Sequence, residues 1–272
     1  MYRSGSTLIY QIVANLIGYD KGLGLRWTRQ DLERIQKTGD TGILKIHTPV
    51  PDMEQIVRDR RYIYSYRDIR DVFASMSVKR YRNSDGKLSP LLNVGRICGC
   101  IESDAYFRAR SSLIVRYESE IESLNVLVER VASSLGIESY DRSIAERLSL
   151  QNVKQFTDSL PDKDYGRTLF CRHHVSDGKS KFRQFLSNAY IRIIEHYAGD
   201  WLLQNGYELT FPKDTVESIC EQEKIVILRE GDSLHSLFGN DWKRIYQSPA
   251  NASFRQQFPD PNLIRPGFVL HL

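Results

Sequence analysis

The stretch Arg3-Ser4-Gly5-Ser6-Thr7 constrains this chain most, because it is a small hydroxyl-rich turn running straight into an apolar helix. Leu8, Ile12 and Leu16 recur at helical spacing, with Ile9 and Val13 beside them and Gly18 at the end, which predicts a helix over 6–17. Gly5 lets the backbone approach a ligand closely, and the hydroxyls of Ser4, Ser6 and Thr7 can donate to it. The helix N-terminus offers partial positive charge and Arg3 a full one, so the turn suits an anion such as a phosphate. A Ser/Thr-rich cap on an ordinary helix accounts for the same five residues taken alone. Such turns ordinarily follow a buried strand; the expectation is that this strand lies upstream of Met1 in a longer chain, the alternative being a truncated domain that is marginal or inactive. The pattern lacks G-x-x-x-x-G-K, so a nucleotide kinase of the P-loop type would be without its phosphate lysine.

The chain then alternates short apolar strands with helices. Strands are predicted at 42–47 (GILKIH), 61–66 (RYIYSY) and 112–118 (SLIVRYE), and helices from about Asp68, over 91–109 and over 120–135. Asp68 can cap its helix, and Gly136 ends the last one. The alternation predicts an α/β fold with a mostly parallel sheet. Residues 158–181 are polar and carry Pro161, Gly166 and Gly178, which predicts a long loop before a helix from Phe182 to Gln204. A hinge follows Pro212, and the texture changes again from Glu223. The expected division is a first domain over 1–212 and a small module over 223–272.

Ligands of open α/β sheets bind where strands end, so the strand ends carry the candidate chemistry. Arg67 ends the second strand, with Ser75 two turns into the following helix, and the two can grip one phosphate. Arg67, Asp68, Arg70 and Asp71 can equally be a solvated, self-paired charge cluster. Lys45 and His47 alternate with apolar residues and so share one side of the first strand.

Together these pieces resemble the cytosolic-type sulfotransferases, which use 3′-phosphoadenosine 5′-phosphosulfate (PAPS) as sulfonate donor. YRSGST looks like their P-[KR]-S-G-[ST]-T loop for the 5′-phosphate, with Tyr2 in place of the usual proline and Leu8 in place of a frequent tryptophan. YRDIRDVFAS is similar to their R-[DN]-x-[RK]-D-V-x-x-S segment for the 3′-phosphate, and KIHTP to their K-T-H-x-P, whose histidine is the catalytic base. RYES, with Tyr117 and Glu118, looks like their Y-E-D. The stretch RHHVSDGKSKFRQFLS falls where the family has a basic loop over the donor. Arg172 is present, Gly178 is shifted, His173 and His174 replace Lys-Gly, and Lys179, Lys181 and Arg183 keep the loop basic. The resemblance covers roughly residues 2–205. It implies a P-loop-like three-layer αβα fold, PAPS as donor and 3′-phosphoadenosine 5′-phosphate (PAP) as product, without a metal. It also implies His47 as general base and Lys45 and Arg3 as charge neutralisers. The donor would be bound by Arg3, Ser4, Gly5, Ser6, Thr7, Arg67, Ser75, Tyr117, Arg172, Gly178, Lys179 and Lys181. The acceptor would be a hydroxyl or amine on a small molecule or a glycan. A non-catalytic nucleotide- or glycan-binding protein is the competing expectation.

The C-terminal stretch resembles a second family. IVILREGDSLHSLFG, DWKRIYQ and DPNLIRPGFVLHL look like a LysM module, which implies a βααβ fold and binding of glycans that contain N-acetylglucosamine. The positions implied are near Gly231, Asp232 and Ser233, and near Pro261, Asn262 and Leu263. A structural piece without glycan binding fits the same residues.

A net charge of +4 over 272 residues suits an anionic ligand but does not point to nucleic acid. No apolar run approaches a membrane span and the N-terminus reads as no signal peptide, so a cytoplasmic location is expected if that end is complete. The four cysteines, with only Cys98 and Cys100 close, match no zinc or redox spacing.

Overall fold

The computed structural model describes residues 4–24, 28–57, 59–80, 92–158, 169 and 182–272. The first half runs α1 (Ser6–Ile17), β1 (Gly22–Gly24), α2 (Arg29–Thr38), β2 (Ile43–Leu44), α3 (Pro51–Ile56), β3 (Tyr62–Tyr66) and α4 (Ile69–Arg80). It continues through α5 (Val94–Arg108), β4 (Ser111–Arg116), α6 (Tyr117–Glu120), α7 (Leu124–Leu135), α8 (Ile144–Arg147) and α9 (Leu150–Asp158). After these come α10 (Phe182–Phe185), α11 (Asn188–Gln204), α12 (Val216–Glu223) and β5 (Ile225–Ile227). Last are α13 (Leu234–Phe238), α14 (Trp242–Gln247), α15 (Ala252–Gln257) and β6 (Val269–His271). The fold is α/β with helices predominating and small sheets. By its contacts the chain divides into two compact units, 1–67 with 102–179 and 68–101 with 180–272.

In the first unit the strands form two parallel pairs, β1 with β2 and β3 with β4. Among the described residues these pairs are separate, where the sequence predicts one mostly parallel sheet. The apolar face of α1 drives the packing. Ile9, Ile12 and Val13 bury against Ile43 of β2, Val115 of β4 and Leu127, Val128 and Val131 of α7. Alternation along β3 sends Ile63 and Ser65 toward that core. Its opposite face meets α5, where Tyr64 stacks on Phe107 at 5.8 Å and donates its hydroxyl to Asp104 at 2.8 Å.

Several predicted bounds change for local reasons. The strand expected over 42–47 stops at Leu44. The chain bends at His47 and Thr48, and Lys45 and His47 lie beyond the ladder. The strand expected over 112–118 ends at Arg116, and Tyr117 opens α6. The helix expected over 120–135 begins at Leu124. The helix expected over 91–109 begins at Val94, because the Asn93 side chain accepts from the Arg96 amide at 3.2 Å and acts as its cap. The helix expected from Phe182 to Gln204 is two helices, since Ser187 caps α11 by accepting from the Tyr190 amide. The stretch 18–40, for which the sequence suggested no element, holds β1 and α2. Thr28 and Asp31 form a reciprocal capping box at the start of α2.

In the second unit α4, α10 and α11 pack together, and α12 leads into an antiparallel pair of β5 and β6. Three short helices stand between those strands around a core of Leu234, Ile245, Tyr246, Phe254, Phe258 and Phe268. The pair gains an isolated bridge from Asn93 to Phe268, supported by the Val94 amide donating to Gly267 at 2.9 Å. The C-terminal strands are thus stitched to the segment that begins α5.

Candidate functional site

The opening turn is held at the start of α1. Gly5 is the N-cap with φ 84°, a left-handed conformation that favours glycine, and among the described residues no side chain caps the first-turn amides. Those amides therefore face outward from the helix start as donors for an anion. The Ser4 side chain is fully buried, its hydroxyl 3.2 Å from that of Ser65 on β3.

Two cations join the turn. Lys45, 8% exposed just beyond β2, donates its ammonium to the Thr7 hydroxyl. Arg67, 5% exposed, follows β3 directly and lies with its guanidinium 4.9 Å from the centre of the Tyr117 ring. The parallel register explains this meeting. Tyr66 pairs with Arg116, so the residues after them emerge side by side at the C-terminal ends of β3 and β4. The Tyr117 ring also covers Gly5, and a Cβ built on Gly5 would fall inside the radius of its ring atoms. A narrow crevice beside this contact has Ser4, Gly5, Ser65, Tyr117 and Glu120 in its wall, and the rest of the wall is apolar. Glu120, the acid in that wall, is paired with Arg130.

Of the residues that the sequence singles out, Ser4, Gly5, Thr7, Lys45, Arg67 and Tyr117 are thus linked by direct contacts, with Ser6 in the same turn. His47 is half-buried in the bend after β2, two residues past Lys45. Ser75 is half-buried on α4, in the second unit. Arg3, Arg172, Gly178, Lys179 and Lys181 lie outside the described residues, and so do His173 and His174.

The expectation of a solvated charge cluster at 67–71 is overturned, since Arg67, Asp68, Arg70 and Asp71 are all buried. Arg70 pairs with Asp68 at 2.7 Å and with Glu195 on α11 at 2.5 Å. Burial would lower the Arg70 pKa, but hydrogen bonds and charge from Asp68 and Glu195 outweigh it, and the net shift is upward. Asp71 accepts from the Phe182 amide at 2.8 Å and so fixes the start of α10.

Ser65 is the site residue that sequence reasoning missed. Its signal was parity: in YIYSYR it falls on the same side of the strand as Arg67, opposite the three tyrosines. Among the described residues, no helix is long and apolar enough to cross a membrane. No family model, curated protein or solved structure matches this chain.

Proposed function

We propose that this chain is a sulfotransferase, moving a sulfonate group from PAPS to a hydroxyl or amine acceptor. The observation that carries the reading is one set of contacts. The uncapped start of α1, the buried Lys45 on Thr7, and the Arg67–Tyr117 stack all touch a single turn at the ends of parallel strands. Two buried cations and a helix N-terminus with bare amides are the chemistry that an anionic donor requires. The bare Gly5 backbone adds a surface that a ligand can approach closely.

In this reading Ser4, Gly5, Ser6 and Thr7, with Arg3, hold the 5′-phosphate end and Arg67 holds the 3′-phosphate, to which the resemblance also assigns Ser75. Arg172, Gly178, Lys179 and Lys181 are further donor-binding residues that the resemblance assigns. When bound, the donor supplies a sulfonate activated by its phosphate leaving group. His47 removes the acceptor proton as general base. Lys45 offsets negative charge at the reacting end, where its hydrogen bond to Thr7 holds it in place. Positioning and electrostatics carry the rate, as in phosphoryl transfer.

The finer fold reading is a P-loop-like three-layer αβα domain with a LysM-like module over 223–272. Helices on both faces of β3, with α1 on one side and α5 on the other, support the first part. The antiparallel β5–β6 pair enclosing short helices supports the second. A glycan acceptor follows from the module, whose loop at 261–263 carries Leu263 at 67% exposure.

Thermal unfolding with PAP and with ATP tests the function. PAP is expected to raise the melting temperature and ATP to raise it much less. Equal shifts, or none, count against the reading.

A further inference from the structure

We infer that Tyr117 is a positioning residue whose ring ties the opening turn to Arg67 and so preorganises both anion-binding ends together. The inference rests on the nucleotide reading above and adds to it a coupling between the two ends.

The geometry is that of a single brace. One edge of the ring, at Cδ2 and Cε2, presses on Gly5 so closely that only a residue without Cβ fits there. The Arg67 guanidinium lies over the same ring at 4.9 Å. The ring is held from below by chain register, since Tyr117 opens α6 directly after Arg116, the partner of Tyr66. A guanidinium resting on an aromatic face is oriented by it, so the stack fixes the direction of the Arg67 side chain. Gly5, the most permissive residue in the turn, is the one the ring restrains. Ser4–Ser65 and Lys45–Thr7 secure the turn's two flanks, and Tyr117 secures its middle. A rigid turn and a rigid arginine, joined through one ring, bind a ligand with two phosphates at less ordering cost than two independent sites would.

The test uses the full chain with Tyr117→Phe, Tyr117→Leu and Tyr117→Ala. The first readout needs no nucleotide: amide hydrogen exchange across 5–8, with 127–132 of α7 as a folding control. Tyr117→Phe should exchange like the parent chain, and Tyr117→Ala should exchange at least about tenfold faster at 5–8 alone. The second readout is the ratio of the dissociation constants for AMP and PAP. That ratio should fall about tenfold in Tyr117→Ala and stay unchanged in Tyr117→Phe, because only the two-phosphate ligand profits from the coupling. If Tyr117→Ala does not fold, Tyr117→Leu decides: it refills the space against Gly5 but offers Arg67 no π face, so it should protect 5–8 and still lose the ratio. Phe behaving like Ala, or unchanged exchange in Ala, overturns the inference. So does an unchanged ratio in Leu. If the parent chain binds neither nucleotide, the sulfotransferase reading fails while the exchange readout still decides the brace.

Discussion

Arg70 and Glu195 meet as a buried ion pair at 2.5 Å, joining α4 to α11 across 125 positions of sequence. Glu195 also accepts from the amides of Thr210 at 2.8 Å and Phe211 at 3.0 Å, and Arg70 lies over the Phe182 ring at 4.4 Å. One carboxylate therefore ties α4 to the chain after α11, and its arginine partner adds the start of α10. Removing one member leaves an uncompensated charge away from water. Glu195→Ala is expected to destabilise by about 3–5 kcal/mol in urea unfolding. The double variant Arg70→Met/Glu195→Leu should be less destabilised than the sum of its singles, because it removes both charges. Additive losses would show that the pair is not energetically coupled.

Asn251, 1% exposed, ties the C-terminal strands to the helices between them. Its amide donates to the carbonyls of Ile245 at 2.9 Å and His271 at 2.8 Å, and its oxygen accepts from the His271 amide at 2.9 Å. Asn251→Ala removes the partner of three backbone groups, one buried and two part-buried, and should cost about 2–4 kcal/mol. The measurement is denaturant unfolding followed by the fluorescence of Trp242, with the other two tryptophans replaced by Phe. A loss below about 1 kcal/mol would mean that water replaces the amide.

His271 gives this region a pH dependence. Burial lowers its pKa below the ordinary 6.5, while the charge of Glu223 raises it by less; the Tyr190 ring lies 5.6 Å away. The unfolded chain then binds the proton more readily than the folded one, so stability rises with pH through this window. Its contribution is complete above the unfolded value and is lost as pH falls through the lower folded value. His271→Phe keeps the backbone bonds to Asn251 and should flatten this part of the profile. Comparing melting temperatures at about pH 7.5 and about pH 5 for both chains checks it. Parallel profiles would remove His271 as the cause.

What could be read in the sequence was what local chemistry decides. The turn at Gly5, the helix over 6–17 and the helix start at Asp68 depend on neighbours a few residues away, and all three are observed. Asp68 accepts from the Arg70 amide at 2.9 Å, as a cap should. The burial of the 67–71 charges was not legible, because their partners stand far off in the sequence: Glu195 for Arg70, the Phe182 amide for Asp71 and the Tyr117 ring for Arg67. The missing ladder at Lys45–His47 was not legible, because the alternation continues through His47 while, among the described residues, the partner strand β1 pairs no further than Leu44. Tyr117 was legible as a motif residue, yet its contact with Gly5 depends on the β3–β4 register, which no single strand encodes.

Under the proposed function, Arg67 and His47 should fail in different ways. Arg67→Ala removes a buried charge-assisted contact and should weaken PAP binding by about 1.5–3 kcal/mol. His47→Ala should leave PAP affinity unchanged and abolish turnover, as expected for a group that acts only on the acceptor proton. Calorimetric titration and labelled-donor transfer separate the two effects. Normal turnover in His47→Ala would end its assignment as base, and unchanged affinity in Arg67→Ala would remove it from the site.

Gly5 faces two independent demands. Its φ of 84° disfavours any L side chain, and its Cα face is covered by Tyr117. The conformational part of Gly5→Ala should cost about 1–2 kcal/mol. The steric part adds to it, because the ring is itself held by Arg67 and cannot simply move aside. Separating the two needs Gly5→Ala in the Tyr117→Ala background, where only the backbone cost remains. The loss from Gly5→Ala should therefore be at least about 1 kcal/mol smaller there than in the parent chain. Equal losses in both backgrounds would mean that the left-handed backbone alone demands glycine, and that the ring merely rests on a turn already shaped without it.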